Sequence, residues 1–193
     1  MGHIDVPGFG KFSAAPNANA PLLVVFGGIP VGPVDHKVQS GVYMWDYVNK
    51  VKDRFHIFVA SSNAVNGTQA YRALMGKLQT QSLTASDQIL YLFSGGYRPG
   101  MDLLPSSGPA TFSSIYLVDI WMGVNKKTKS TAVPDFYEAL VDGNAGKITY
   151  VYTSFGANND AARDNIANKL GPSKAIFVTT GHMSTNTVAV KML

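Results

Sequence analysis

Three residue types that together support nucleophilic catalysis stand at the ends of separate predicted strands in this 193-residue chain. The apolar run QILYLF ends on Ser94-Gly95-Gly96, Asp119 lies near the end of SIYLVDIW, and His182 lies near the end of AIFVTTGHM. Serine is a weak nucleophile at neutral pH and needs an adjacent base to take its proton. A histidine supplies that base when a carboxylate orients its ring. These residues act together only if the fold brings them to one place.

The elements that must position these residues alternate between strands and helices after residue 20. Continuous apolar runs predict six strands, over residues 21–28, 55–61, 88–93, 114–121, 147–155 and 175–183. Helical spacing and capping residues predict helices over 40–55, 67–82, 134–143 and 158–172. The alternation predicts one α/β domain over residues 21–193, with a mostly parallel central sheet and flanking helices. Residues 1–20, rich in Gly, Pro, Ala and Asn, are expected to form an irregular arm.

The carboxyl ends of parallel strands share one edge of a sheet, and ligands bind beyond that edge. The third, fourth and sixth predicted strands end near Ser94, Asp119 and His182, in that chain order. The first strand presents Gly27-Gly28-Ile29 at the same edge, and the second presents Ser61-Ser62-Asn63. The sequence therefore predicts a polar site at this edge.

The motifs at this edge resemble those of the α/β-hydrolase superfamily, in which the catalytic residues follow the order Ser, Asp, His. YLFSGGY is similar to the nucleophile elbow, FGGIPV to the oxyanion loop and TTGHMSTN to the loop of the terminal histidine. The resemblance covers about residues 21–186, most closely to compact members that have no lid. It implies the fold of that superfamily, which is the α/β architecture that the predicted strands and helices also indicate.

The resemblance also implies an activity and the residues that carry it. Ser94 would be the nucleophile and His182 the base, and the oxyanion would bind the backbone N–H of Gly95 and that of Gly28 or Ile29. The expected reaction is hydrolysis of a small-molecule or glycan ester through an acyl-enzyme. No cofactor and no metal is implied.

Two features of the elbow depart from the pattern G-x-S-x-G. The first glycine of that pattern would fall on position 92, where this chain has Leu92. Pro99 and Gly100 follow closely and are poor residues within the first turn of a helix, so a helix that begins at Pro99 fits the sequence better than one that begins directly behind Ser94.

The sequence leaves the acid open between two residues. Asp119 lies within an apolar run, where a carboxylate needs a partner to offset its lost hydration. Asp160 follows the fifth strand, the usual place for the acid in this superfamily, but it also stands where a helix needs an N-cap.

Among the four histidines, His182 is favoured as the base because it follows a glycine after the last strand. His3 lies in the arm, His36 in the loop after the first strand and His56 within a strand. Their spacing contains no zinc-binding pattern, so no metal site is expected.

Three residues at the ends of predicted strands are candidates for substrate binding. Arg98 could bind a carboxylate or phosphate, although an exposed surface charge is the commoner role of such a residue. Tyr97 and Trp121 could line an apolar or sugar-stacking pocket, although packing in the core is the commoner role of aromatic residues.

The composition narrows the classes of partner. The net charge is +4, and the one tight basic cluster is NKKTK over residues 125–129, so nucleic-acid binding is not expected. No run of 18 apolar residues and no signal-peptide pattern is visible, which predicts a soluble protein, in the cytoplasm, without a membrane span. The chain has no cysteine and hence no disulfide.

A non-catalytic interpretation also fits the glycine-rich loops. FGG and FSGGYR follow strands and could bind an anion through backbone N–H groups, with Arg98 adding positive charge. Neither loop matches the phosphate-binding patterns G-x-x-x-x-G-K-[ST] or G-x-G-x-x-G. A third interpretation keeps the hydrolase fold without activity, as an interaction or structural protein. A histidine near Ser94 distinguishes catalysis from anion binding.

Overall fold

The structure, a computed structural model, describes residues 2–28, 39–123, 128, 130–154 and 160–193, and for residues 39–42 and 160 it describes the backbone alone. Eight strands occur in these residues: β1 (Ile4–Val6), β2 (Gly10–Ser13), β3 (Leu22–Phe26), β4 (His56–Ala60), β5 (Gln88–Phe93), β6 (Ser114–Val118), β7 (Ile148–Tyr152) and β8 (Ala175–Phe177). The α-helices of the same residues are α1 (Gln39–Val48), α2 (Gly67–Thr80), α3 (Tyr97–Ser107), α4 (Ala132–Asn144), α5 (Asp160–Leu170) and α6 (Ser184–Lys191).

Hydrogen bonding joins the strands into one sheet in the order β1-β2-β4-β3-β5-β6-β7-β8. The pairs β1–β2 and β2–β4 are antiparallel, and the other five pairs are parallel. Neighbouring parallel strands need a crossover connection, which helices on the faces of the sheet provide. The prediction of a mostly parallel sheet with flanking helices is confirmed.

Each face of the sheet has its own apolar layer, because successive side chains on a strand point to opposite faces. On β3, Leu22, Val24 and Phe26 pack in the layer that includes side chains of α2, α3, α4 and α5. Leu23 and Val25 pack in the layer on the opposite face, with side chains of α1 and α6. The sheet is therefore buried on both faces, which is why its strands appear in the sequence as continuous apolar runs.

The N-terminal residues form part of the sheet, so the prediction of an irregular arm over residues 1–20 is wrong for residues 4–6 and 10–13. β2 pairs with β4, with Phe12 opposite Phe58, and Phe12 is 0% exposed. In β1 and β2 only some of the side chains are buried. Because apolar residues there do not form a continuous run, the strands could not be recognised by the criterion that found the others.

Several element boundaries also differ from the prediction. β6 ends at Val118 and β8 at Phe177, before the ends of the apolar segments that contain them. Ile120, Met122 and Val178 are buried although they lie outside the strands, so the apolar character continues past the hydrogen-bonded part. A loop was expected where α6 lies, because the sequence STNTVAVK is rich in residues of low helix propensity.

A helix begins directly behind the serine turn, two residues before the start at Pro99 that the sequence favoured. A 3₁₀ turn spans Ser94–Gly96, and α3 follows from Tyr97. Pro99 is the third residue of α3 and therefore loses no hydrogen bond, because the first N–H groups of a helix have no partner within it. The positive end of the helix dipole thus lies next to Ser94.

Membrane-spanning helices were sought in the described part of the chain. None of its helices combines the length and the apolar character that crossing a bilayer requires.

Candidate active site

Ser94 and Asp119 follow two neighbouring strands at the carboxyl edge of the sheet. β5 and β6 pair in parallel with Phe93 opposite Val118. The residues that directly follow this pair are Ser94 after β5 and Asp119 after β6. The carbonyl oxygen of Ser94 accepts a hydrogen bond of 3.3 Å from the N–H of Trp121. The serine turn and the segment after β6 are therefore joined directly.

The turn at Ser94 holds the backbone in a conformation that residues other than glycine rarely adopt. Ser94 has a φ of +51°, in the left-handed region that costs a non-glycine residue free energy. A Cβ on Gly96 would stand 2.1 Å from the carbonyl oxygen of Phe26, so position 96 accepts only glycine. Strained, tightly packed turns of this kind are concentrated at functional sites.

Asp119 binds His182 through a short hydrogen bond. The distance between Asp119 Oδ2 and His182 Nδ1 is 2.6 Å, and Asp119 is 8% exposed. Thr153 donates two further bonds to the carboxylate, from its N–H at 3.0 Å and from its hydroxyl at 2.7 Å. These donors replace the water that burial removes from the carboxylate. With Nδ1–H donated to Asp119, Nε2 of His182 is the ring nitrogen that can accept a proton.

The ring of His182 is held from a second direction by the residue before the serine. Phe93 stacks on the imidazole with 4.6 Å between ring centroids. The hydroxyl of Thr185, in the first turn of α6, donates a 2.6 Å hydrogen bond to the carbonyl of His182. Three predicted site residues, Ser94, Asp119 and His182, therefore meet at one edge of the sheet.

The glycines predicted as oxyanion donors stand against the serine. A Cβ on Gly28 would lie 2.5 Å from Ser94 Cβ and 2.7 Å from Ser94 Oγ, so only glycine fits there. The same point lies 3.1 Å from the N–H nitrogen of Gly95. Ile29, the alternative to Gly28, lies outside the described residues.

A cavity of about 510 Å³ opens at Ser94. Arg98 is exposed, and its Nε donates a 3.0 Å hydrogen bond to the hydroxyl of Tyr97. The ring of Tyr97 also lies 5.5 Å from that of Trp121, which is 37% exposed. All three residues predicted to bind substrate line the cavity, whose described lining is Asn63, Ser94, Gly95, Tyr97, Arg98, Trp121, Gly123, Thr128, Ser130 and Val133. Arg98 is the one charged side chain in that set.

The other histidines have different surroundings. His56 is fully buried; its Nδ1 accepts a hydrogen bond from Ala15 N–H at 3.1 Å, and its Nε2 lies 3.2 Å from the carbonyl of Ala18. His3 stacks on Trp45 with ring centroids 4.0 Å apart. His36 lies outside the described residues. His56 thus fastens the chain before β3 to β4.

Two further predictions concern Asp160 and metals. Asp160 is the first residue of α5, and its side chain is not among those described. In the described part of the chain, no group of three or more His, Asp or Glu side chains is arranged to hold a metal ion.

Asn63 is a residue of this site to which the sequence assigned no role. It lies three residues after β4, lines the Ser94 cavity and is 7% exposed. Its position at the end of a predicted strand was the available signal. Its burial against Gly95 depends on contacts between β4 and the serine turn, which the sequence does not reveal.

The strand order, the strained serine turn and the helix behind it define the α/β-hydrolase fold. Solved structures that resemble the chain over almost its whole length belong to this class, including an esterase. Est1E from Butyrivibrio proteoclasticus aligns with a TM-score of 0.55 at 11% identity, covering 99% of this chain and 96% of its own.

Two other similar structures are of proteins named for different activities. The structure of 1H-3-hydroxy-4-oxoquinoline 2,4-dioxygenase gives a TM-score of 0.53 at 13% identity, covering 100% of this chain and 97% of that one. A mutant of the N-acyl homoserine lactonase AidH gives 0.53 at 11% identity, with coverages of 99% and 93%. No protein-family model and no curated protein sequence matches the chain. At these identities the likeness concerns the fold, which serves more than one chemistry.

Proposed function

We propose that this protein is a serine hydrolase that cleaves carboxylic esters through an acyl-enzyme. The observation that carries the proposal is the 2.6 Å hydrogen bond between Asp119 and His182, at the same sheet edge as Ser94. A buried carboxylate that orients a histidine is the arrangement that makes a nearby serine nucleophilic. An anion-binding loop has no use for such a base.

In the first half of the reaction, Ser94 Oγ attacks the ester carbonyl carbon while Nε2 of His182 takes the hydroxyl proton. Asp119 stabilises the imidazolium that forms. The carbonyl oxygen becomes an oxyanion and accepts hydrogen bonds from the N–H of Gly95 and that of Gly28 or Ile29. When the carbonyl re-forms, the C–O bond to the alcohol breaks, and His182 gives its proton to that alcohol.

In the second half, water replaces the alcohol. His182 takes a proton from the water, whose oxygen attacks the acyl carbon. The second oxyanion that forms accepts hydrogen bonds from the same backbone N–H groups. Collapse breaks the bond to Ser94 Oγ, which recovers its proton from His182, and the carboxylic acid leaves.

The substrate class that we propose is a small-molecule or glycan ester. Its support is the cavity at Ser94, where the rings of Tyr97 and Trp121 offer a surface for an apolar group or the face of a sugar. Arg98 would contact a carboxylate or phosphate carried by the same substrate. Asp119 is the acid in this proposal, and Asp160 has no role in the reaction.

A fluorophosphonate probe tests this function without knowledge of the substrate. The wild-type protein, Ser94→Ala and His182→Ala are incubated with the probe, and intact mass is measured. We expect one adduct on the wild type, none on Ser94→Ala and a strongly slowed reaction in His182→Ala, because the probe reacts with activated serines. Ser62→Ala is the matched control at the same sheet edge and should label like the wild type. A folded wild type that gains no adduct, or an adduct that survives Ser94→Ala, would refute the proposal.

A further inference from the structure

The side chain of Asn63 contains a buried donor for which the described residues offer no acceptor. Asn63 is 7% exposed, and its Nδ2 has no hydrogen-bond partner among the residues that the structure describes. Burying an amide N–H without a partner is unfavourable, because the group loses its water and gains nothing in return. Asn63 lines the cavity that contains Ser94. An acceptor for Nδ2 can therefore come from a molecule bound in that cavity.

The amide lies beside the backbone groups proposed to bind the oxyanion. Nδ2 stands 2.5 Å from the point where a Cβ on Gly95 would be, and the Cα of Gly28 stands 3.4 Å from that point. The absence of a side chain at position 95 thus leaves the space that the Asn63 amide occupies. Asn63, Gly95 and Gly28 form one contiguous group around Ser94.

A second asparagine shows that a buried, unpaired amide does not by itself indicate a ligand-binding role. Asn186 is fully buried, and its Nδ2 likewise has no hydrogen-bond partner in the described part of the chain. Its Oδ1, however, accepts a 2.7 Å hydrogen bond from the hydroxyl of Tyr91. Asn186 is not among the residues that line the Ser94 cavity. Its internal hydrogen bond explains its place in the core, whereas Asn63 combines an unpaired donor with a position on the cavity wall.

We propose that Nδ2 of Asn63 is a third oxyanion donor, which adds a side-chain N–H to the two backbone groups. The inference rests on the proposed function, because the oxyanion forms only when Ser94 attacks a carbonyl. A neutral amide donor interacts more strongly with the oxyanion than with the uncharged carbonyl of the substrate, so it lowers the barrier more than it strengthens substrate binding. The packing of the amide against Gly95 fixes its position before the substrate arrives.

Asn63→Leu removes the donor at similar volume, and Asn63→Asp keeps the shape while replacing the NH₂ group by a second acceptor. With p-nitrophenyl acetate as the probe ester, we expect kcat of both variants to fall by about 10²–10³-fold, with KM changed by less than about threefold. Binding of a trifluoromethyl ketone, which forms a hemiketal oxyanion on serine, should weaken by a similar factor. The Tm of Asn63→Leu should not fall, because the deleted donor had no partner.

The results separate this inference from the function on which it rests. A wild type that neither reacts with a fluorophosphonate nor cleaves the ester overturns both. If the wild type is active and both variants keep kcat within about threefold, the third donor is refuted and the serine hydrolase stands. A raised KM with unchanged kcat and unchanged ketone binding would instead assign Asn63 to substrate binding, which also overturns the inference. Asn63→Ala replaces the leucine variant if that protein does not fold.

Discussion

Asp119 accepts hydrogen bonds from two residues that lie far from it in the sequence. Thr153 donates its N–H and its hydroxyl, and both bonds fix the carboxylate against β7. His182 is 63 positions away along the chain, and its Nδ1 is 2.6 Å from Oδ2. Asp119 itself has a φ of +43°, so its backbone is held in the left-handed region like that of Ser94. The local strain at both residues is stabilised by the surrounding packing.

Replacing Asp119 by asparagine tests its role in the proposed reaction. Asp119→Asn should lower kcat/KM by about 10³–10⁴-fold, because an amide favours the wrong tautomer of His182 and cannot stabilise the imidazolium. The matched variant Asp160→Asn should retain activity. Rates are measured with p-nitrophenyl acetate, and circular dichroism checks that both variants are folded. Loss of activity in Asp160→Asn alone would transfer the role of the acid to Asp160.

At the scale of elements, the connection from β5 to α3 explains how the turn tolerates Leu92. A Cβ on Gly100 would stand 2.5 Å from Leu92 Cδ1 and 2.7 Å from the hydroxyl of Tyr137. Gly100 thus makes room on α3 for the leucine side chain, which is fully buried. The turn pattern G-x-S-x-G needs a glycine at position 92, and here a glycine on the facing helix provides the space instead.

This compensation predicts coupling between positions 92 and 100. Gly100→Ala should lower the free energy of unfolding by about 1–3 kcal/mol, because the added methyl group overpacks the interface between strand and helix. In a Leu92→Ala background the same substitution should cost at least about 1 kcal/mol less, because the opposing methyl groups are gone. Urea denaturation of the wild type, both single variants and the double variant gives the coupling. Additive costs would contradict this account of the turn.

At the scale of the whole molecule, the core contains several tyrosines whose ionisation is opposed by burial. Burial raises the pKa of Tyr91 and Tyr137 well above the ordinary value. It also raises the pKa of Tyr43 and Tyr150. These residues belong to the two apolar layers or pack against them, so ionising any of them places a charge in the packing around the sheet.

The raised tyrosine pKa values predict unfolding at alkaline pH. Below about pH 10 the hydroxyls are neutral in both states, and their contribution to stability is complete. As the pH rises further, the unfolded chain loses these protons while the folded chain keeps them, so the free energy of unfolding falls. The absorbance change at 295 nm that reports ionisation of these buried tyrosines should therefore coincide with the loss of far-UV circular dichroism. Tyr137→Phe should show a shallower fall, and ionisation of most of the nine tyrosines in a protein that keeps its circular dichroism would contradict the prediction.

The sequence by itself determined the central part of the fold. The apolar runs that became β3, β4 and β5 were recognisable because a strand buried on both faces needs apolar side chains at successive positions. The same reasoning put Ser94, Asp119 and His182 at strand ends on one edge of the sheet. Their roles as nucleophile, acid and base remain predictions that the experiments above address.

The tertiary structure decided what depends on contacts between distant residues. β1 and β2 were missed because their partly exposed side chains form no continuous apolar run, and α6 because its local propensity is low. The bond between Asp119 and His182 and the unpaired amide of Asn63 likewise arise from segments far apart in the chain. Periodicity and turn chemistry are properties of neighbouring residues, whereas hydrogen-bond partners and packing clearances exist only after the sheet has assembled.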